Sequence, residues 1–484
     1  MVTQSRLATR DWTPAPQPYG ATPSKRQLEW HELETYAFLH FTVNTFTDKE
    51  WGYGDEDPSV FNPTDFDPDG IVRDLKAGGM KGVILTCKHH DGFCLWPTKT
   101  TEHCIRNSRW RDGKGDVVRD LSRAAQSAGL KFGVYVSPWD RSNATYGTPE
   151  YLPLYREQIR ELLTNYGPIF EVWFDGANGG DGYYGGAREK RTIGPNYYQW
   201  DKTIAIIRQL QREAVIFGEA GDIRWVGNEG GIAGEPCWDT FEPSLARIQA
   251  DAHDSGEGGM QLLMHGVRNG SIWKPAECDV SIRPGWFWHE SQNTQVKTPE
   301  QLIDLYFKSV GRGASLLLNV PPNRKGQIER TDADSLLQYQ QRIQQIFANN
   351  LAKSAKLLPS NARGGSRQFG AHNLLDGDRA TYWATDDSVL SPTLIVDLGA
   401  TKQFAFIRLR EAIQLGQRIE GFSIDVWQNN AWNEVVTGTS IGSCRLLRLP
   451  QSVVTSKLRL RVTQSPVCTA LSELGLFGPA SLAI

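Results

Sequence analysis

The sequence has no uninterrupted apolar run of about 20 residues, which argues against a transmembrane helix. Its opening, MVTQSRLATRDWTP, lacks the apolar core of a secretory signal. The expectation is a cytoplasmic chain, or a secreted or periplasmic one from which a signal has been removed. Cysteine is scarce: seven in 484 residues do not build a disulfide scaffold. The spacing of Cys87, Cys94 and Cys104 fits no zinc ribbon or finger. Lys and Arg total 52 against 55 Asp and Glu, a net charge of −3, which excludes the usual strongly basic nucleic-acid binder. No GxGxxG or P-loop follows the first strand-like segment, which weakens a nucleotide-binding reading. Internal repeats and low-complexity stretches are also absent.

With 39% hydrophobic and 22% charged residues, the chain has the makings of ordinary globular cores, and its length suggests two domains, one of them large. Aromatics are abundant, with 16 Trp, 15 Tyr and 19 Phe. Most belong in cores, but flat C–H faces of sugars stack on such rings, so the excess favours a carbohydrate-handling protein. Residues 1–30 read as an extended arm. From 31 to 352, short apolar runs at 36–43, 82–90, 131–138, 169–176, 214–221, 260–266 and 315–322 read as buried strands. Helical patterns at 116–130 and 153–167 end at glycine C-caps, and a third lies at 333–352. This alternation predicts an α/β fold, a (β/α)8-like barrel, with an open doubly wound sheet as the alternative. Residues 353–484 change style to short alternating strands, an all-β sandwich.

In a barrel, chemistry sits at the C-terminal ends of strands. That places His40, then Lys88, His89, His90 and Asp91, then Tyr135 and Asp140, then Asp175 as candidates, with Glu219 and Glu229 further on. Asp175, in VWFDGA, is either a reactive carboxylate at the site mouth or a helix N-cap. Glu229 follows Trp225 in a glycine-flanked loop; a carboxyl beside an indole has its charged form poorly solvated, as a general acid requires, and the alternative is an exposed loop glutamate. His89, His90 and Asp91, with His40, are either metal ligands or neutral groups that hold sugar hydroxyls or are satisfied within the core. The Gly-rich segment 178–196 follows a strand, where barrels carry their catalytic loops.

The ordered motifs FLHFTVNTF, DKEWGYGDED, KHHDGFCLW, GVYVSPWD, VWFDGA, AGDIRWVGNEGG and SLLLNVPPNRKGQI resemble the family 29 glycoside hydrolases, the retaining α-L-fucosidases, over residues 25–350. RWVGNE is similar to a hallmark of the branch acting on α-1,3- and α-1,4-linked fucose. The resemblance implies Asp175 as nucleophile and Glu229 as acid/base, two carboxylates that retaining hydrolysis places about 5–5.5 Å apart. It implies a fucose pocket lined by His40, Glu50, Trp51, His89, His90, Tyr135 and Trp173, with Trp225 as a wall. No cofactor is expected for catalysis, and the implied partner is a fucosylated oligosaccharide or glycoprotein glycan. Two departures stand out: the 178–196 segment lengthens the stretch between the two carboxylates, and Glu219, where the family has an Asp, is the rival acid/base. Residues NLLDGDRATYWAT to LSELGLFG resemble the discoidin-like sandwich, which implies a structural calcium near Asp378, Thr381 and Glu473. A fucosidase of broader linkage preference is the alternative within the family, a fucose-binding lectin on an inactive barrel the alternative of another class, and a metal-dependent hydrolase a further one.

Overall fold

The computed structural model describes residues 13–245 and 256–479; the first twelve residues of the expected arm lie outside the described residues. The chain divides into two compact units, Pro23–Phe347 and the chain from Ala348 on together with the segment ending at Thr22.

Among the described residues, the main sheet of the first unit has eight strands: β1 Thr35–Leu39, β2 Gly82–Lys88, β3 Lys131–Val136, β4 Glu171–Trp173, β5 Val215–Phe217, β6 Arg224–Trp225, β7 Ala276–Ser281 and β8 Ser315–Asn319. They pair in the order β5-β4-β3-β2-β1-β8-β7-β6, every ladder parallel. A parallel bridge between Phe217 and Ile223 brings the two ends together, so the sheet curls into a near-barrel. Helices return the chain after every strand but β5, which passes to β6 through residues 218–223. Their starts are set by short polar caps. Asp67 accepts from the Gly70 amide, with Pro68 supplying a preset φ, and Asp116 accepts from the Arg119 amide. The helix Val117–Ala128 ends at Gly129, whose φ of +76° is the left-handed cap that the sequence suggested.

Three readings of this unit need correction. MQLLMHG (260–266), read as a strand, belongs to the helix Gly256–His265, because a short apolar run does not distinguish the two. The missed strands of the main sheet are β6 and β7. β7 reads AECDVS, with Ala276, Cys278 and Val280 alternating with Glu277, Asp279 and Ser281, and all six residues are buried. Part of the expected arm is helical, at Lys25–His31.

Period-two alternation stacks the barrel interior in layers. Tyr36, Phe38 and His40 climb from β1; Glu171, Trp173 and Asp175 climb from β4; Glu277 and Asp279 climb from β7. At the bottom, Tyr36 hydrogen-bonds Glu277, and Trp30 Nε1 donates to Glu171 Oε2 at 3.2 Å. Glu171 and Glu277 are both fully buried, and burial followed by their mutual repulsion pushes the Glu171 pKa well up. Two carboxyls in so dry a site cannot both ionise, so the pair retains a proton. The other oxygen of Glu277 accepts from Trp173 Nε1 at 2.7 Å, which fixes the indole plane. That indole stacks on Phe217 with centroids 4.0 Å apart, and Tyr135 lies against it at 5.2 Å. This aromatic layer is the floor on which the site is built.

The loop after β7 is anchored by Arg283 and Asp332, whose side chains are fully buried and paired through two hydrogen bonds of 2.8 Å each. Arg283 also donates to the His289 carbonyl at 3.4 Å and to Asn293 Oδ1 at 2.9 Å. Removing one partner leaves a charge without water or counterion. Asp332→Ala is therefore expected to lose about 3–5 kcal/mol in chemical denaturation. A loss below about 1 kcal/mol would mean that the pair is not dry.

The second unit is antiparallel. Its strands are β9 Lys356–Pro359, β10 Trp383–Ala384, β11 Thr393–Glu411, β12 Gly421–Gln428, β13 Ala431–Gly438, β14 Arg445–Gln464 and β15 Ala470–Phe477. The order is β10-β15-β11-β14-β12-β13, with β9 on β11. The segments read as separate strands at 393–399 and 404–411 are one long strand, bent by register shifts between 397 and 402 and between 404 and 406. Leu394, Val396, Phe404, Ile407 and Leu409 alternate inward onto Leu458, Leu460 and Val462. The segment before Thr22 belongs to this unit: the Arg363 and Arg418 guanidiniums bond the carbonyls of Pro14 and Gln17.

Candidate active site

A cavity of about 100 Å³ opens at the C-terminal ends of the barrel strands. Phe38, Trp173 and Phe217 form its apolar part, and His40, His89, His90, Glu50, Trp51, Trp225, Asp279, Trp286, Asp175 and Glu229 complete it. The sequence reading therefore brought together nine of its members, and Tyr135 reaches the site from behind Asp175 rather than from the cavity wall.

Asp175 serves two ends at once. Oδ1 accepts from the Ala177 amide at 2.8 Å, which is the turn-capping use of an Asp after a strand. Oδ2 accepts from Tyr135 OH at 3.1 Å and lies 3.7 Å from His90 Nε2. Burial, then the Asp175 charge, pushes the Tyr135 pKa well up, so its hydroxyl stays a donor. Both carboxylate oxygens are thus held in place.

The three histidines are buried and neutral. Burial drives the His40 pKa down to about 3 and that of His90 down to about 4, and it drives His89 well below the ordinary value. Their partners fix which nitrogen carries the proton. His40 Nδ1 donates to Asn319 Oδ1 at 2.9 Å. Ser137 gives its single proton to the Trp139 carbonyl, so His90 Nδ1 donates to Ser137 Oγ at 2.7 Å. In both rings Nε2 is left as an acceptor. Neutral imidazoles of this kind accept hydroxyl protons without needing a counterion. Among the described residues, no group of three or more His, Cys, Asp or Glu side chains is placed to hold a metal ion.

Glu229 stands exposed at the rim, where Trp286 Nε1 donates to its Oε2 at 3.2 Å. Trp225, which lines the same cavity, donates to Asp279 Oδ1 at 2.7 Å. Asp279 is buried, and burial followed by the charge of Glu229 pushes its pKa well up. Glu219 is absent from this cavity. It lines a second one of about 410 Å³ formed with the 178–196 segment, whose hairpin pairs Gly180–Gly182 with Glu189–Arg191; Asp175 borders both. The sequence reading missed Phe38, Phe217, Asp279 and Trp286. For Asp279 the signal was present in β7, as polar residues at every second position of an otherwise apolar strand.

The implied calcium donors fare differently. Thr381 Oγ1 donates to Asp376 Oδ2 at 2.6 Å, and Asp378 Oδ1 accepts from the Ala380 amide at 2.9 Å. Glu473, however, is bound through both oxygens, by Arg408 at 2.7 Å and Arg410 at 2.8 Å. Two guanidiniums on this carboxylate supply the positive charge that a cation would bring, so this donor set does not fit calcium.

Comparison with known proteins finds relatives for both parts of the chain. Residues 18–344 match the alpha-L-fucosidase family model, and residues 358–474 match that of the F5/8 type C domain. The chain is 43% identical over 469 residues to alpha-L-fucosidase 1 of Arabidopsis thaliana, covering 96% of this chain and 89% of that protein. A crystal structure of a putative alpha-L-fucosidase from Bacteroides thetaiotaomicron superposes with a TM-score of 0.88 at 35% identity, covering 96% of this chain and all of that one. A Ruminococcus gnavus GH29 fucosidase in complex with fucose gives 0.85 at 32% identity, with 97% of each chain covered. The chain therefore belongs to the family 29 α-L-fucosidases, glycoside hydrolases, and carries a discoidin-like F5/8 type C domain at its C-terminal end.

Proposed function

We propose that this fucosidase is a retaining exo-enzyme that removes α-1,3- or α-1,4-linked fucose from branched oligosaccharides or glycoprotein glycans. The observation that carries the reading is that Asp175 and Glu229 face one small cavity with three neutral histidines and an aromatic floor. Asp175 Oδ2 attacks the anomeric carbon as the C1–O bond breaks, and Glu229 passes its proton to the departing oxygen. In the second step Glu229 takes a proton from water, whose oxygen displaces Asp175 and restores the configuration. Fucose has no 6-hydroxyl, so an aromatic wall against its methyl leaves no polar group unpaired. The closed floor suits a terminal sugar. The linkage preference rests on the RWVGNE motif at 224–229.

The test is release of fucose from α-1,2-, α-1,3-, α-1,4- and α-1,6-linked compounds, with the anomer of the first product followed by NMR. The expected result is α-fucose, from the α-1,3 and α-1,4 compounds alone. Initial β-fucose would overturn the retaining mechanism. Release from α-1,2 or α-1,6 links would overturn the linkage assignment, and no release at all would favour a lectin.

A further inference from the structure

A chain of titratable groups reaches the cavity through Glu50. Glu50, in the loop after β1, lines the cavity, and its Oε2 accepts from the backbone amides of Trp286 at 2.8 Å and Phe287 at 3.4 Å. Its Oε1 meets His289 Nε2 at 2.6 Å, and His289 Nδ1 meets Asp48 Oδ1 at 2.7 Å. An imidazole with a carboxylate on each nitrogen needs a proton on both, which makes it an imidazolium. Burial opposes that charge, but the carboxylates of Asp48 and Glu50 outweigh it and hold the His289 pKa above its ordinary value. The approach is close: a Cβ on Gly285 would lie 2.2 Å from Glu50 Oε1, so only glycine lets the carboxylate cross the turn there.

The turn fixed in this way carries Trp286, whose indole donates to Glu229. Its carbonyl is held from the other side by Asn319 Nδ2 at 2.7 Å, and its ring lies 5.1 Å from that of His40. The other charges that face the cluster are accounted for. Arg324 Nη2 lies 3.6 Å from Asp48 Oδ1, and Arg283, on the His289 carbonyl, is paired with Asp332.

We propose that His289 is a positioning residue for the acid/base group: as an imidazolium bridging Asp48 and Glu50, it locks the Trp286–Phe287 turn and so holds the Trp286 indole against Glu229. The proposal rests on Glu229 being the acid/base. His289→Gln can serve one carboxylate but not both, which loosens the turn without emptying the position.

The test compares kcat/KM, which reads the first chemical step, on a fucosyl glycan and on a fucoside with a strongly acidic leaving group that needs no proton. His289→Gln is expected to lose about tenfold on the glycan and less than about twofold on the activated substrate, a fraction of the 10²–10⁴ that a whole general acid supplies. In the wild type the glycan rate should fall at high pH as the imidazolium loses its proton, and the variant should lose that part of the profile. Asp48→Asn, at an exposed side chain, keeps the fold intact and should show the same split in smaller measure. Equal loss on both substrates, or loss on neither, would overturn the proposal. Glu229→Ala, run alongside, separates the two failures. If it shows the split and His289→Gln does not, only the positioning role falls. If Glu229→Ala shows no split, the acid/base reading falls and takes the positioning role with it.

Discussion

Asp175→Ala is expected to lose on the order of 10⁴–10⁶ in kcat/KM on every fucoside, activated ones included, because the bond to carbon cannot form without the carboxylate. A leaving group of high acidity does not help, since the missing partner is the nucleophile and not the acid. The change should leave the fold standing. Asp175 makes one hydrogen bond to the Ala177 amide and one to Tyr135, and losing the pair amounts to about 1–3 kcal/mol. Removal of the side chain vacates a space beside Tyr135 and His90 into which a small anion fits. With azide and an activated fucoside, attack from the vacated face should give the inverted product, β-fucosyl azide, as C1–O breaks and the leaving group departs as its anion. Detection of that product assigns the face as well as the residue. An Asp175→Ala enzyme that still turns over glycans would remove Asp175 from the mechanism, and the α-fucosyl azide as product would place the nucleophile elsewhere.

The parts of this site that could be read from the sequence are those where chemistry and strand end coincide. His40, His89, His90 and Asp175 each stand just past an apolar run, so the alternation that makes a buried strand also points at its last polar residue. Asp279 and Trp286 escaped for opposite reasons. β7 is buried yet half polar, because its inner face meets the carboxyl layer of the barrel and not an apolar core, so it lacks the continuous apolar run that marks the other strands and leaves only a short alternation as its signal. Trp286 lies in a loop whose place over the cavity depends on Glu50, 236 residues earlier, and on Asn319 from β8, and no local pattern carries contacts of that range. The misread helix at 260–266 has the same origin. Its apolar run is real, but whether so short a run coils or extends is settled by what it packs on, and here Leu263 is buried while Met260 is exposed.

Glu229→Ala is expected to divide substrates where Asp175→Ala does not. Loss of a general acid removes about 10²–10⁴ from kcat/KM when the leaving group is a sugar alcohol, which cannot depart as its anion. A leaving group that departs without a proton should be cleaved in the first step within about tenfold of the wild-type rate. The second step still needs a base for water, so the fucosyl-enzyme on Asp175 should accumulate and give a burst of released leaving group followed by slow turnover. Azide needs no base. It should relieve the second step and give α-fucosyl azide, the retained product, in contrast to the inverted azide from Asp175→Ala. Glu219→Ala is the control, since Glu219 lines the neighbouring cavity with the 178–196 hairpin and not the one shared by Glu229 and the histidines. If Glu219→Ala shows the burst and the retained azide while Glu229→Ala behaves as wild type, the acid/base belongs to the 410 Å³ cavity, and the leaving group departs past the hairpin instead of past Trp286.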